Sequence, residues 1–313
     1  MTLLATILTA LGALGASYYN DGRRPGYPLT VDVYETIRGG TNVQTHLLNP
    51  GDQCCNTLDW RNIFGVIPID TLLMQTIPTV NNLQQYLDSE VPAMVHVVNL
   101  DNDSTTEVLM YESWANEGIL NDWYAFIDNP PSEFDLWKRD VYDALVIELR
   151  SQVPNDVYVI PVGDLYYAMR NSEEPLYRDG QHASVFMQGF LNQMLITSVT
   201  RDYQYIQDQL VWEVLIDNPL SQFKRGDADL DSDVDITDFN ILVGNFGTGT
   251  EWTQGNFDFD LDVDITDFNI LAINFGSPSS IPESSTFKIL LYGLILLGVV
   301  YRGNRKERNV GSS

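Results

Sequence analysis

Cysteine is almost missing from this 313-residue chain: there are two, Cys54 and Cys55, and they are adjacent. A disulfide between neighbours is strained, and two thiols do not complete a four-ligand zinc site, so neither a disulfide framework nor a structural zinc is expected. Basic residues are scarce as well. Seventeen Lys and Arg stand against 43 Asp and Glu, a net charge of −26, which argues against the basic face that a nucleic-acid binder needs. Histidine occurs three times. Long apolar runs are lacking near the C-terminus, where only thirteen residues separate Lys288 from Arg302. At ~1.5 Å per residue these fall short of a ~30 Å hydrocarbon core. What remains is a mixed chain, 44% hydrophobic and 19% charged, long enough for two domains and one sizeable core.

Composition divides the chain into residues 1–215, which are mixed, 223–277, which are acidic and repeat internally, and 278–313, a Ser/Pro linker with a short apolar run and a basic tail. In the first zone Val31-Asp32-Val33-Tyr34, 93–98, Val108-Leu109-Met110-Tyr111 and Val157-Tyr158-Val159-Ile160 read as strands. Trp137 to Leu149 and Val185 to Ile196 carry apolar residues three and four apart, the helix period. Strands alternating with helices predict an α/β fold, a parallel sheet covered on both faces in three α/β/α layers. His96, inside the 93–98 run, is expected in the core or at a strand end. The run from Leu3 to Ala16 resembles the core of a signal peptide, but no Lys or Arg precedes it, and an interior helix is the rival reading.

The acid is concentrated. Twelve Asp or Glu and no Lys or Arg lie between Gly226 and Asp267. The spacing is duplicated: Asp227, Asp229, Asp231, Asp233, Asp235 and Asp238 in one stretch answer to Asn256, Asp258, Asp260, Asp262, Asp264 and Asp267 in the next. Each places oxygen donors at positions 1, 3, 5, 9 and 12 of a twelve-residue loop, with the backbone carbonyl of position 7 as a further ligand. Six or seven oxygens wrapped around one ion suit Ca²⁺ better than the stiffer, smaller Mg²⁺. Two calcium sites are therefore expected, each leading into a short apolar helix at Phe239-Asn240-Ile241-Leu242 and Phe268-Asn269-Ile270-Leu271. Without an ion the crowded carboxylates repel, so binding and folding should be coupled.

This tandem resembles the dockerin type I module, a pair of F-hands that are each a calcium loop followed by one helix. The resemblance covers 226–276 and implies a small all-α calcium module whose partner is a cohesin-like module. Two positions depart from the pattern. The glycine usual at loop position 6 is Ser232 in one copy and Leu261 in the other, and position 1 of the second loop is the neutral Asn256. Both departures predict a weaker second site, since leucine resists a left-handed turn.

Beyond the acidic repeat, Ile281-Pro282-Glu283-Ser284-Ser285-Thr286 precedes the short apolar run and the cluster Arg302, Arg305, Lys306 and Arg308. A plain tail anchor with a positive cytoplasmic end is one reading. The order of motif, apolar helix and basic end also resembles a PEP-CTERM sorting signal, with Ser284 where a second proline is usual. That resemblance is the preferred reading. It implies processing by an exosortase-type enzyme and export to the surface of a Gram-negative bacterium, with the membrane met through the C-terminal helix.

In the first zone Asp179 precedes His182 by three residues, a spacing that lets a carboxylate fix the imidazole tautomer. Pro175 to Leu191 resembles the last block of SGNH/GDSL-type hydrolases. Gly39-Gly40-Thr41 resembles the block whose glycine amide helps form the oxyanion hole, and Met110-Tyr111-Glu112-Ser113-Trp114-Ala115 and Val159 to Asp164 are similar to two strand ends of one secreted branch. The resemblance implies His182 as base, Asp179 as its orienter and Gly39 or Gly40 as an oxyanion donor. The family's Gly-Asp-Ser or Gly-Asn-Ser nucleophile turn is absent from this sequence, and Ser113 and Ser184 stand in other blocks. The missing first strand is expected if the chain starts inside the domain. The functional expectation is an exported ester hydrolase-like protein acting on acylated polysaccharide, the carbohydrate ester being its substrate. The alternative is a non-catalytic, calcium-dependent surface binding or assembly protein.

Overall fold

The structure is a computed structural model that describes residues 69–76, 83–114, 131–180 and 183–276. These fall into two compact units, divided between Gln222 and Phe223.

The first unit is mixed α/β. Strands β1 (Thr71–Met74), β2 (Glu107–Tyr111) and β3 (Val157–Ile160) form a parallel sheet in the order β1-β2-β3, with Leu72 opposite Val108 and Val108 opposite Val157. Parallel neighbours need crossover connections. Helix α1 (Leu83–Asp101) lies between β1 and β2 in the chain, and α2 (Pro131–Arg150) between β2 and β3. All residues of β3, and all of β2 after Glu107, are buried, which is why both strands are near-continuous apolar runs. The alternation of strand side chains sorts them by face. Val108, Met110, Val157 and Val159 join one core cluster with Tyr86, Val91, Met94 and Val98 of α1 and Tyr142, Leu145, Val146 and Leu149 of α2. Leu109, Tyr111 and Ile160 are buried as well. After β3 come α3 (Val162–Met169), α4 (Val185–Thr200), a 3₁₀ turn at Tyr203–Tyr205 and α5 (Gln209–Asp217).

One expectation is overturned. Residues 93–98 belong to helix α1, not to a strand, and His96 is exposed on that helix. The buried set Glu90, Val91, Met94, Val97 and Val98 has the helical spacing, and Pro92 sits on the exposed side. The β-branched valines mimic a strand alternation over six residues, but the nineteen-residue helix buries them on one stripe. Strand 31–34, the 3–14 helix, Cys54 and Cys55 and the whole of 281–308 lie outside the described residues. No helix among the described residues is long and apolar enough to cross a membrane.

The second unit contains α6 (Ile236–Asn245), a 3₁₀ turn at Trp252–Gln254 and α7 (Ile265–Asn274). Its two halves are cross-braced. Gly247, just after α6, donates its amide to the Val263 carbonyl of the second loop at 2.7 Å, and Gly276, just after α7, donates to the Val234 carbonyl of the first at 2.9 Å. The Trp252 indole donates to the Asp227 carbonyl at 2.6 Å. Gly226 and Gly255, each preceding a loop, have φ of +99° and +97°. A Cβ on Gly255 would lie 2.8 Å from Leu242 Cα, and one on Gly226 3.1 Å from Leu271 Cα, so each loop entrance rests on the other copy's helix.

Candidate functional site

The two acidic loops enter their helices in the same way. Asp235 and Asp264 are N-caps with φ −131° and ψ −160°, and each forms a capping box with the carboxylate three residues on. In the first loop that carboxylate, Asp238, is fully buried. It accepts the amides of Ala228 at 2.6 Å, Asp229 at 3.3 Å and Asp235 at 2.7 Å. Asp267 repeats the arrangement with Phe257 at 2.5 Å, Asp258 at 3.2 Å and Asp264 at 2.8 Å. Position 12 thus ties the loop entrance to the helix start in both copies.

The first loop gathers its carboxylates into two groups. Asp227, Asp229 and Asp231 form one triplet whose ligand oxygens lie within 4.8 Å of one another, and Asp233, Asp235 and Asp238 form a second. These two groups can hold a metal ion. Asp227 accepts the amides of Asp231 at 3.2 Å and Ser232 at 3.0 Å, and Ser232 adopts φ +79°, the left-handed turn that position 6 requires. Burial, and then the neighbouring Asp238 charge, pushes the Asp227 carboxyl up to about 8, and burial pushes Asp238 up to about 6. A cation between them would favour the charged forms.

The second loop departs from the first at position 1. Asn256 is buried, and its amide nitrogen donates to the carbonyls of Thr250 at 3.1 Å and Asp260 at 3.0 Å. In the first loop a carboxylate there draws in the amides of positions 5 and 6. The Asn256 amide nitrogen instead binds the position-5 carbonyl, so the polarity of the contact with position 5 is reversed. Leu261, at position 6, is not among the residues with positive φ and is 89% exposed. No triplet of carboxylates forms in this loop, but the Asn256 carbonyl oxygen is buried with no hydrogen-bond partner, as an oxygen awaiting a cation would be. Phe259 has φ +62° and Leu230, its counterpart, +61°, so position 4 is left-handed in both copies.

In the first unit the carboxyl ends of the strands hold a second group of polar side chains. Glu112, immediately after β2, is buried and accepts the amides of Gly163 at 2.8 Å and Asp164 at 3.3 Å at the start of α3. Burial, and then the charge of Asp164, raises its carboxyl well above the usual range. Asp143 is pushed up to about 6 by burial and then by Asp164. The next residue, Ser113, accepts a hydrogen bond from Lys138 Nζ at 3.1 Å. This group is brought together across 25 to 52 residues of sequence; 110–115 and 159–164 stood out only by resemblance, and no local spacing links them to each other or to Lys138.

Of the catalytic residues suggested by resemblance, Gly39, Gly40 and His182 lie outside the described residues. Asp179 is described, is half exposed, and lies 3.6 Å from the Arg178 guanidinium. Ser184 caps α4, accepting the Met187 amide at 3.1 Å. No protein-family model, curated protein or solved structure matches this chain.

Proposed function

We propose that residues 226–276 are a two-site calcium module of the dockerin type, through which an exported protein docks its α/β domain onto a cohesin-like partner. The observation that supports this most is the first loop: two carboxylate triplets, a left-handed position 6 and a position-12 carboxylate locking the loop to its helix. An all-oxygen donor set on a loop of this length favours calcium over magnesium. Asp227, Asp229, Asp231, Asp235 and Asp238 would hold the first ion with the Asp233 carbonyl. Asn256, Asp258, Asp260, Asp264 and Asp267 would hold the second with that of Asp262. Bound calcium supplies the positive charge that relieves repulsion among these carboxylates. Calorimetric titration of the full chain should give two calcium events, of which Asp227→Ala removes the tighter, with magnesium a poor competitor. Absence of calcium heat, or hydrogen exchange across 226–276 unchanged by chelation, would sink the reading.

A second reading concerns the first unit as a three-layer, SGNH-type ester hydrolase domain acting on acylated polysaccharide, with Asp179 and His182 as its base pair. In its favour are the parallel order of the strands, the burial of both faces of β2 and β3, and the position of Glu112 and Ser113 at a strand's carboxyl end, where ligands of such sheets bind. Turnover of p-nitrophenyl acetate tests it. Residues 281–308 are read as a PEP-CTERM-like signal cut by an exosortase-type enzyme at a Gram-negative surface, which the mass of the mature protein would check.

A further inference from the structure

A side chain of the second unit touches both acidic loops. Trp252 opens the 3₁₀ turn between α6 and the second loop and is 1% exposed. A buried indole N–H needs a partner, and this one donates to the backbone carbonyl of Asp227, position 1 of the first loop, at 2.6 Å. The ring itself packs against the second loop. Phe257, position 2, lies edge-on at 5.0 Å between centroids, and Phe259, position 4, lies tilted at 5.5 Å. Phe257 is fully buried, and its amide donates at 2.5 Å to Asp267, the position-12 carboxylate of that loop. A chain of contacts therefore runs from the clasp of the second loop, through two phenyl rings and an indole, to the entrance of the first. The first copy is built differently at these places. Four residues before its position 1 stands Phe223, buried like Trp252 but with no N–H on its ring, and its positions 2 and 4 are Ala228 and Leu230.

We propose that Trp252 is a positioning residue that couples the two loops, so that calcium in either raises the affinity of the other. The proposal rests on the calcium reading of 226–276 and goes beyond it by assigning the coupling to a residue outside both ligand sets. Aromatic rings pack with preferred mutual geometry, so ordering Phe257 and Phe259 fixes the plane of the indole and the direction of its N–H. The N–H in turn fixes the Asp227 carbonyl, on the same residue whose carboxylate accepts the amides of Asp231 and Ser232. With the second loop unformed, the indole loses the rings that aim it, and the first loop orders its entrance without that hydrogen bond. Coupling between binding sites is reciprocal, so emptying the first loop weakens the second by the same factor. One hydrogen bond of ordinary net worth sets that factor at about five- to tenfold.

The experiment titrates the full chain with calcium in a calorimeter as wild type, as Asp258→Ala/Asp260→Ala to empty the second loop, as Trp252→Phe, and as the combination. Trp252→Phe puts in place the residue that the first copy carries there, keeping a ring and removing the N–H. In the wild-type background, emptying the second loop should weaken calcium binding to the first about five- to tenfold; with Trp252→Phe the loss should shrink to about twofold or less. Phe259→Leu, again the first copy's residue, keeps the indole donor but removes a ring that aims it, and should shrink the same ratio. Hydrogen exchange over 227–245 in saturating calcium checks that each variant closes its first loop, and if Trp252→Phe does not, Phe259→Leu decides. A ratio that stays at its wild-type value overturns the proposal, since a tryptophan with a merely structural role would lower affinity equally with the second loop filled or empty. Wild-type calcium events independent of one another overturn it while upholding the calcium reading, and absence of calcium heat overturns both.

Discussion

Asp238 offers a test that separates two roles a position-12 carboxylate can play, ligand and fastener. Its oxygens accept the amides of Ala228 at 2.6 Å and Asp235 at 2.7 Å, with a longer bond from Asp229 at 3.3 Å, and the residue is fully buried. Hydrogen bonds to a charged group are worth about 1.5–3 kcal/mol each, and the two short ones dominate. Asp238→Ala should therefore cost about 3–4 kcal/mol with no ion bound, a large share of what a unit of this size can hold. In calcium the loss grows, because a variant that no longer binds forfeits about 2.7 kcal/mol at a calcium concentration a hundredfold above Kd. Hydrogen exchange over 227–245 in the full chain, followed across calcium concentrations and extrapolated to zero, reads both parts. At about 1.4 kcal/mol per decade the ion-free protection should fall at least a hundredfold. A variant that loses protection only in the presence of calcium would refute the fastening argument and leave Asp238 a ligand alone.

Three further outcomes follow from individual side chains. Ser232 holds φ +79° and its hydroxyl is buried with no hydrogen-bond partner, so Ser232→Gly removes both penalties and should stabilise the second unit by about 1 kcal/mol, read as a rise in its calorimetric melting temperature. Asn256→Asp should restore the position-5 contact polarity of the first loop and tighten the second calcium event in a titration, since added ligand charge raises affinity; an unchanged second event would count against the reversal of polarity as the cause. Glu112 is raised by burial, so it keeps its proton in the folded state above the pH at which the unfolded chain releases it. Its contribution is present at low pH and is lost as pH climbs from the ordinary carboxylate range toward the raised value, at up to about 1.4 kcal/mol per pH unit. Glu112→Gln should flatten that slope in denaturant melts of the first unit between pH 5 and 7, and an unaltered slope would contradict the assignment.

What could be read from the sequence was local. Oxygen donors at alternate positions of a twelve-residue stretch are a complete instruction for a loop, because every partner lies within that stretch and the helix start follows at once. The Asp238 amide contacts span only three to ten residues. Strands 108–111 and 157–160 were legible because a strand buried on both faces has to be apolar throughout. The 93–98 segment misled for the complementary reason: its valines are packed by helix α2 and the sheet, and a window of six residues is too short to show the 90, 91, 94, 97, 98 stripe. Strand β1 is only four residues long and carries a single β-branched residue, Thr71, so it left no signal. The pairing of Lys138 with Ser113 is a product of the β2–α2 crossover, and no local spacing within either segment announces it.

The duplication in the second unit also carries a consequence that neither loop has by itself. The carbonyl of Val234 in the first loop is bound by the glycine that ends α7, and that of Val263 in the second by the glycine that ends α6. Gly255 lies against α6, the helix that the first loop caps, and Gly226 against α7. Ordering either loop therefore fixes the exit of the other copy's helix and the seat of the other copy's entrance glycine. Within this geometry the second loop is not idle: its Trp252 neighbour holds the Asp227 backbone from the other side. The second copy can differ from the first at Asn256 and Leu261 and still serve it, because it contributes packing that the first copy cannot supply alone.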